Sequence, residues 1–292
     1  MCSTANKKGE MRKMPYCKKC GAELPKDARF CPACGTPVIP PEKKHIETHK
    51  TFKVTAKPKV VVTNIAPGFV EVKSGPKTEV TVDLDLKIPE DLDWNISQDG
   101  NIVTVTCRGR ALSIFGWPTY IFSGRPRANI HVSVPAEADL NLENRAGRIT
   151  VEGVKGTIVA ESSAGTVNLQ ECEGAVKART RAGSVELDNV NGTISARSSA
   201  GSIRFTGALS KGENWFRTNV GSIELTLEGK PDLTVEASTK IGRVTCSPEL
   251  TDLHYERGQY VGQIGAGTGR LIAETKTGSI TIHRQVARPS AE

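Results

Sequence analysis

The feature that most constrains this chain is a repeat of about 18 residues, which begins near residue 141. Its clearest copies are TIVAESSAGTVNLQECEG, AVKARTRAGSVELDNVNG and TISARSSAGSIRFTGALSKG, and each contains one marker glycine. The marker glycines are Gly147, Gly165, Gly183, Gly201, Gly221, Gly242 and Gly278, with spacings of 18, 18, 18, 20, 21 and 36 residues. A sustained period of this kind is typical of a solenoid, in which each repeat forms one coil and stacks on the next. Because the last spacing is two periods, we expect a degenerate or looped-out coil between Pro248 and Gly269.

Apolar and polar residues alternate on both sides of each marker glycine, which is the period of a β-strand and not of a helix. The residues two positions after the glycine are Ile149, Val167, Val185, Ile203, Ile223, Val244 and Ile280. We therefore predict an all-β chain in which each coil consists of two short strands joined by a glycine corner. Small polar residues such as Ser162, Thr180 and Ser198 stand three positions before the glycine, and we expect their hydroxyls to bond to turn backbone.

The chain before the repeat is also β-like, because alternating runs such as KVVVTNI and EVTVDLDLKI are separated by PG, SGP and DG turns. The run ANIHVSVPAEADLNLENRAG, with the later AGSI and TGSI corners, resembles a family of β-strand-repeat proteins described as putative adhesins of unknown function. The resemblance covers residues 51–285. It implies a right-handed parallel β-solenoid and no established activity.

Four cysteines near the N-terminus form two CxxC pairs, CKKC and CPAC, with ten residues between them. They are Cys17, Cys20, Cys31 and Cys34. Two tight turns of this kind direct four thiolates to one point, which predicts a closed tetrahedral Zn²⁺ site with a structural role. An iron centre of the rubredoxin kind uses the same ligands and stays open as an alternative. The segment YCKKCGAELPKDARFCPACGTPV resembles the short zinc-ribbon modules found in many bacterial and archaeal proteins.

These patterns divide the chain into five parts. We expect a disordered leader at 1–15, the zinc ribbon at 16–38, a Pro- and Lys-rich linker at 39–50, the solenoid at 51–285 and a tail at 286–292. Met14 directly precedes the ribbon, so either Met1 or Met14 is a candidate start. The leader has no apolar run of the secretory type, and the longest uncharged stretch, 111–124, is too short to span a bilayer. We therefore expect a cytoplasmic protein with no membrane span.

Basic side chains stand four positions before three successive marker glycines. They are Arg179, Arg197 and Arg217, and Arg181 and Lys240 stand two positions before their own glycines. Cations stacked on neighbouring strands repel one another unless an anionic group lies across them. The row is therefore a candidate site for an acidic partner, and the alternative is a solvated face offset by carboxylates such as Glu161 and Glu274.

The segment IFGWPTYIF is a second candidate partner surface. It contains Phe115, Trp117, Tyr120 and Phe122. The alternative is that these rings cap or cover the solenoid, because bare β edges aggregate.

The charge distribution and the scarcity of catalytic groupings reduce the number of candidate function classes. Residues 1–50 hold 11 Lys and Arg against 5 Asp and Glu, which gives +6, whereas residues 51–292 hold 28 against 27, which gives +1. No Ser/His/Asp grouping or pair of acids stands out, so we expect no enzyme. The sequence favours a binding or scaffold protein with protein partners. A nucleic-acid-associated regulator that uses the basic N-terminus and a surface adhesin-like protein are the alternatives.

Overall fold

The computed structural model describes residues 16–17, 19–25, 28, 30–36, 45–87, 92–109, 113–114, 117–118, 126–247, 251–256 and 259–284. The chain divides into two compact units, Met1–Lys44 and His45–Glu292. The regular elements of the described residues are all β-strands, which confirms the predicted fold class. Among these residues, the protein has no helix with the length and apolar character needed to cross a bilayer.

The strands of the second unit alternate between long and short ones over most of its length. In chain order they are β1 (His45–Lys53), β2 (Lys59–Pro67), β3 (Val70–Gly75), β4 (Glu79–Lys87), β5 (Leu92–Asp99), β6 (Ile102–Gly109), β7 (Ser113–Ile114), β8 (Trp117–Pro118), β9 (Arg127–Pro135), β10 (Asp139–Ala146), β11 (Ile149–Glu152), β12 (Lys155–Ala164), β13 (Val167–Gln170), β14 (Glu173–Ala182), β15 (Val185–Asp188), β16 (Asn191–Ala200), β17 (Ile203–Gly207), β18 (Glu213–Val220), β19 (Ile223–Leu227), β20 (Leu233–Ile241), β21 (Val244–Cys246), β22 (Thr251–Glu256), β23 (Gln259–Ile264), β24 (Gly269–Thr277) and β25 (Ile280–Arg284).

Two long sheets hold nearly all of these strands, and we name them by the strands of the central repeats. The short-strand sheet has the order β1-β4-β9-β3-β11-β13-β15-β17-β19-β25-β21. The long-strand sheet has the order β22-β23-β20-β24-β18-β16-β14-β12-β10-β2-β6-β5. Pairing between coils is parallel and in register, so that Ile158 lies between Leu140 and Val176. Each coil therefore adds one strand to each sheet, as the repeat predicts.

The core lies between the two sheets and is filled by the alternating apolar side chains. Ile158 and Val167 are both fully buried, and they come from the two strands of one coil. Alanines such as Ala160 and Ala178 are buried beside them, where their small volume lets the two sheets approach each other. The period-two pattern of the sequence is thus the packing pattern of the interior.

The marker glycines form a column at one corner of the stack. Gly183 has φ of +140°, a backbone conformation that residues with a Cβ rarely adopt. A Cβ added at Gly183 would lie 2.6 Å from the carbonyl carbon of Gly165 and closer still to its oxygen. Gly68 heads the same column, because a Cβ at Gly147 would collide with its carbonyl. The corner requires glycine for its backbone angle and for the close approach of the next coil.

The expected hydroxyl bonds beside this corner are confirmed, and each of them joins two coils. Thr180 Oγ1 donates to the carbonyl of Gly165 at 2.9 Å, and Ser198 Oγ donates to that of Gly183 at 2.9 Å. Thr239 Oγ1 reaches the carbonyl of Gly278 at 2.9 Å. The buried polar residue of each coil thus satisfies a corner carbonyl of the adjacent coil.

The spatial order of the coils departs from their order in the sequence at both ends of the stack. The coil β24–β25 lies between β18–β19 and β20–β21, and the coil β2–β3 lies between β10–β11 and the pair β6 and β9. The long last spacing between marker glycines is explained by an antiparallel hairpin, β22 and β23, which pairs with β20 at the edge of the long-strand sheet. The coil expected to be degenerate or looped out is this hairpin.

Residues 45–50, assigned above to the linker, lie instead in strand β1. This strand pairs antiparallel with β4 along its whole length, from His45 opposite Lys87 to Lys53 opposite Glu79. His45 Nε2 contacts Asp85 Oδ1, and His49 Nδ1 lies 2.5 Å from Asp83 Oδ1. The polar sequence suggests a connector because β1 is mostly exposed and contributes little to the core.

Candidate metal centre and basic face

The ribbon contains two turns with the same backbone pattern. In the first, the amide of Gly21 donates to the carbonyl of Cys17 at 2.9 Å, and in the second the amide of Gly35 donates to that of Cys31 at 2.8 Å. Gly21 and Gly35 have φ of +73° and +69°, which favours glycine after each CxxC pair. Because the two turns have the same backbone geometry, they direct the two pairs of sulfurs in the same way toward one point.

The four sulfurs lie within 4.8 Å of one another. Cys17 Sγ is 3.7 Å from Cys34 Sγ, and Cys20 Sγ is 3.5 Å from Cys31 Sγ. A tetrahedral metal with metal–sulfur bonds of about 2.3 Å has sulfur–sulfur edges of about 3.8 Å. The thiol set therefore fits a tetrahedral ion of this size. Cys17 and Cys31 are buried with Leu24, which gives this small unit only a minimal core of its own.

Hydrogen bonds to the sulfurs already favour thiolate at two of the four positions. The Thr36 hydroxyl lies 3.1 Å from Cys34 Sγ and, with the Thr36 amide, lowers the pKa of that thiol to about 6. The amides of Cys20 and Lys19 lower the pKa of Cys17. For Cys20, the Ala22 amide acts to lower the pKa, but the neighbouring thiols of Cys34 and Cys31 outweigh it and raise the pKa to about 12. Crowded thiols resist losing all their protons together, and a bound divalent cation removes this resistance.

The predicted arginine row is present on the outer face of the long-strand sheet. Arg197 on β16 is paired in register with Arg179 on β14 and with Arg217 on β18. The row continues to Glu161 on one side and to Glu274 on the other. We call this surface the basic face.

Carboxylates lie beside the two outer arginines, although Glu161 is shared between Arg179 and Lys177, and none lies beside the central arginine among the described residues. Arg217 Nη2 lies 2.6 Å from Glu274 Oε2, and Arg179 Nη1 lies 3.8 Å from Glu161 Oε1. Arg217 also stacks over Trp215, with its guanidinium carbon 5.4 Å from the ring centroid. Arg197 is exposed and forms no ion pair with any residue that the structure describes. The face is therefore partly offset by acids, as the alternative interpretation expected, but not at its centre.

Beside Arg197 the surface forms an open groove of about 630 Å³, which we call the basic groove. Its lining includes Arg197, Arg217, Lys240, Gln259, Glu274 and Lys276. Lys276 was missed by sequence reasoning, because only the spatial insertion of β24 next to β18 brings it here. Its position two residues before a marker glycine was the available signal.

The other candidate residues fall outside this groove. Arg181 is exposed on β14, one coil further from it. Phe115, Tyr120 and Phe122 lie outside the described residues, and for Trp117 only the strand β8 is described. The aromatic partner surface stays a prediction.

The architecture and the thiol cluster define a class: a parallel β-solenoid chain that carries a four-cysteine ribbon. The model of the zinc-ribbon domain matches residues 16–38, and the model described as Toastrack DUF4097 matches residues 41–283. Because the latter covers most of the chain, this protein belongs to the Toastrack DUF4097 family. No curated protein matches the chain.

Several solved structures resemble it at low identity. A "putative cell adhesion protein" from Clostridium sporogenes is 11% identical over 83% of this chain and 100% of its own, with a TM-score of 0.38. A "putative adhesin" from Bacteroides fragilis is 12% identical over 85% of this chain and 100% of its own, with a TM-score of 0.32. A "putative lipid binding protein" from Parabacteroides distasonis is 9% identical over 82% of this chain and 97% of its own, with a TM-score of 0.26.

Proposed function

We propose that this chain is a non-enzymatic binding protein, whose solenoid recognises an acidic partner through the basic face and whose ribbon is a separate module held by Zn²⁺. Arg197 carries the proposal. It is flanked in register by Arg179 and Arg217, of which Arg217 pairs with Glu274 and Arg179 shares Glu161 with Lys177. A third cation held between two others on neighbouring strands is unfavourable unless an external anion lies over it. An acidic partner supplies that anion.

The rigid backbone of the solenoid supports this function. The strands that carry the arginines are paired on both sides, and their opposite faces are buried in the core. The row therefore keeps a fixed spacing of about 4.8 Å per coil, which favours a partner with regularly placed charges. Little conformational entropy of the backbone is lost when such a surface binds.

The proposal is tested by capture from native lysate with the full chain as bait. Arg197→Glu reverses the charge of the unpaired cation, and Arg204→Glu is the matched control, since Arg204 lies on the other sheet in β17 and pairs with Glu224 at 3.1 Å. We expect captured acidic partners to be lost with Arg197→Glu and kept with Arg204→Glu. Equal retention by both variants contradicts the assignment of the basic face.

For the ribbon, we propose that Cys17, Cys20, Cys31 and Cys34 bind Zn²⁺ and that the metal provides the folding free energy of this unit. The sulfur spacing and the match to the zinc-ribbon model support this. The described residues of this unit bury three apolar side chains, which are too few to stabilise it through its core alone. A closed four-thiolate site leaves no position for substrate, which supports a structural role.

A nucleic-acid-associated role is the second candidate, and the charge of residues 1–50 favours it. These residues hold an excess of +6, whereas the remainder of the chain is nearly neutral at +1. Binding of duplex DNA by the full chain should then fall steeply as salt rises, and should be lost when residues 1–44 are removed. DNA binding that survives this removal would assign it to the solenoid instead.

A further inference from the structure

The groove beside Arg197 combines cations from two neighbouring coils that are far apart in the sequence. Lys276 on β24 and Lys240 on β20 stand on adjacent parallel strands, since Thr275 pairs with Thr239 and Thr277 with Ile241. Both lysines are exposed, and within the described part of the chain neither forms an ion pair. Two adjacent ammonium groups repel each other in water, and an anion between them converts this repulsion into binding.

The three unpaired cations are spread out and do not converge on one point. Arg197 on β16 and Lys240 on β20 are separated by β18 and β24, which amounts to three strand spacings, or about 14 Å. Lys276 lies between them. One compact anion such as inorganic phosphate cannot contact cations at this separation, so the geometry favours an elongated ligand with several negative groups.

The other residues that line the groove indicate which further chemical groups the ligand carries. Ser199, Asn219, Ser238 and Gln259 line the groove, and each of these side chains both donates and accepts hydrogen bonds. Glu274 also lines it and offers acceptor oxygens only. A ligand with hydroxyl donors as well as anionic groups satisfies this mixture. A ligand that consists only of acceptors, such as polyphosphate, leaves the amide oxygens of Asn219 and Gln259 without a donor.

The same lining disfavours the other elongated polyanions. Among the described residues that line the groove, none has an aromatic side chain on which a nucleobase can stack. This described part of the lining also has no large apolar side chain of the kind that anchors a protein interface. A sugar chain needs neither of these.

We propose that the basic groove binds an acidic oligosaccharide, with its carboxylate or phosphate groups at Arg197, Lys276 and Lys240 and its hydroxyls at the serine and amide side chains. This inference rests on the proposed function, because it names the ligand class of the same face. The register of the strands sets the spacing of the charges that the groove selects.

The test measures calorimetric binding of oligogalacturonate, a carboxylate-bearing sugar chain, to the full protein. The fully methyl-esterified oligosaccharide is the uncharged ligand control. A phosphorylated oligosaccharide reports whether phosphate replaces carboxylate as the anion. We expect the charged oligosaccharide to bind and the ester to bind at least tenfold more weakly, since each charge-assisted contact that is lost costs about a factor of ten.

Two variants locate the site. Arg197→Ser and Lys276→Ser should each weaken binding of the charged oligosaccharide about tenfold, whereas Arg204→Ser, which removes an exposed cation from the other sheet, should leave it unchanged. Equal affinity for the ester, or equal weakening by Arg204→Ser, overturns the proposal.

Binding of poly-glutamate and polyphosphate distinguishes a failure of the sugar assignment from a failure of the proposed function on which it rests. If poly-glutamate or polyphosphate binds more tightly than both acidic oligosaccharides and depends on Arg197, the sugar assignment is wrong and the basic face remains a site for acidic partners. If no anionic probe depends on Arg197, both the sugar assignment and the basic face are wrong.

Discussion

Replacing Gly183 by alanine tests the corner column most directly. The added Cβ would lie 2.6 Å from the carbonyl carbon of Gly165, in a part of the chain where both coils are held by parallel pairing. The φ of +140° adds backbone strain of about 1–3 kcal/mol for any residue with a Cβ. Forcing the coils apart adds about 1–3 kcal/mol, the usual cost of overpacking.

The carbonyl that would be displaced also accepts the hydrogen bond of Thr180, at 2.9 Å. Weakening this bond costs about 1 kcal/mol. Together these effects predict that Gly183→Ala lowers the free energy of unfolding by about 3–7 kcal/mol.

Urea unfolding of the full chain, followed by the β signal in circular dichroism, measures this change. Gly229→Ala is the matched control, because Gly229 also has a positive φ, of +73°, but a Cβ there meets nothing within 4 Å. The control should lose about 1–2 kcal/mol, the cost of the left-handed conformation alone. If the two variants lose the same stability, close approach between coils is not the reason for glycine at this corner.

The remaining predictions concern the metal, the pH dependence and the hydroxyl column. Purified chain should contain about one Zn²⁺, and a Cys31→Ser variant should contain much less; elemental analysis that finds no metal in the wild type contradicts the site. Burial acts to raise the pKa of Asp85, but hydrogen bonds from Asn129 and His45 outweigh it and hold the pKa below its usual value. Asp85 therefore stabilises the fold above its unfolded pKa of about 4 and loses this effect as pH falls through the lower folded value. Asp85→Asn should destabilise by up to about 1 kcal/mol at pH 7, and in urea melts the difference should shrink as the pH falls below the unfolded pKa of Asp85; a difference that does not change with pH refutes this. Thr180→Val removes the bond to Gly165 and should cost about 1–3 kcal/mol in the same assay, whereas Thr251→Val, which removes an exposed hydrogen bond of 3.3 Å to the carbonyl of Gln263, should cost less.

The coil itself was predictable because its two determinants are local. Alternation around Gly183 gives the strands, and the period gives the stacking partner, since every copy of the repeat has the same shape. The order of the end coils was not predictable in this way. Nothing in the local sequence of β24 indicates that it lies between β18 and β20 and not beyond β20 at the end of the stack, where the hairpin β22–β23 pairs instead.

The same distinction holds for the candidate sites: local sequence determines some of their residues, and the spatial order of the coils determines others. The thiol cluster was predictable from Cys17 to Cys34, because a CxxC turn fixes its own geometry. The arginine row was predictable from its position in the repeat, and so were the carboxylates that offset it. Lys276 was not, because its place beside Arg217 and Asn219 depends on the inserted coil.

The inserted end coils also determine how the protein responds to tension. In a solenoid stacked in sequence order, a pull on the C-terminus peels the outermost coil, which is held on one side only. Here the last coil, β24–β25, is paired on both sides, with β18–β19 and with β20–β21. Force applied at the C-terminal end of the solenoid must extract this coil from between two others and shear two rows of backbone hydrogen bonds at once, whereas a pull on the N-terminal strand β1, which pairs with β4 alone, breaks one row. The two ends of the solenoid therefore differ, and the C-terminal end resists unravelling more strongly than the N-terminal end, a mechanical property that a repeat count does not reveal.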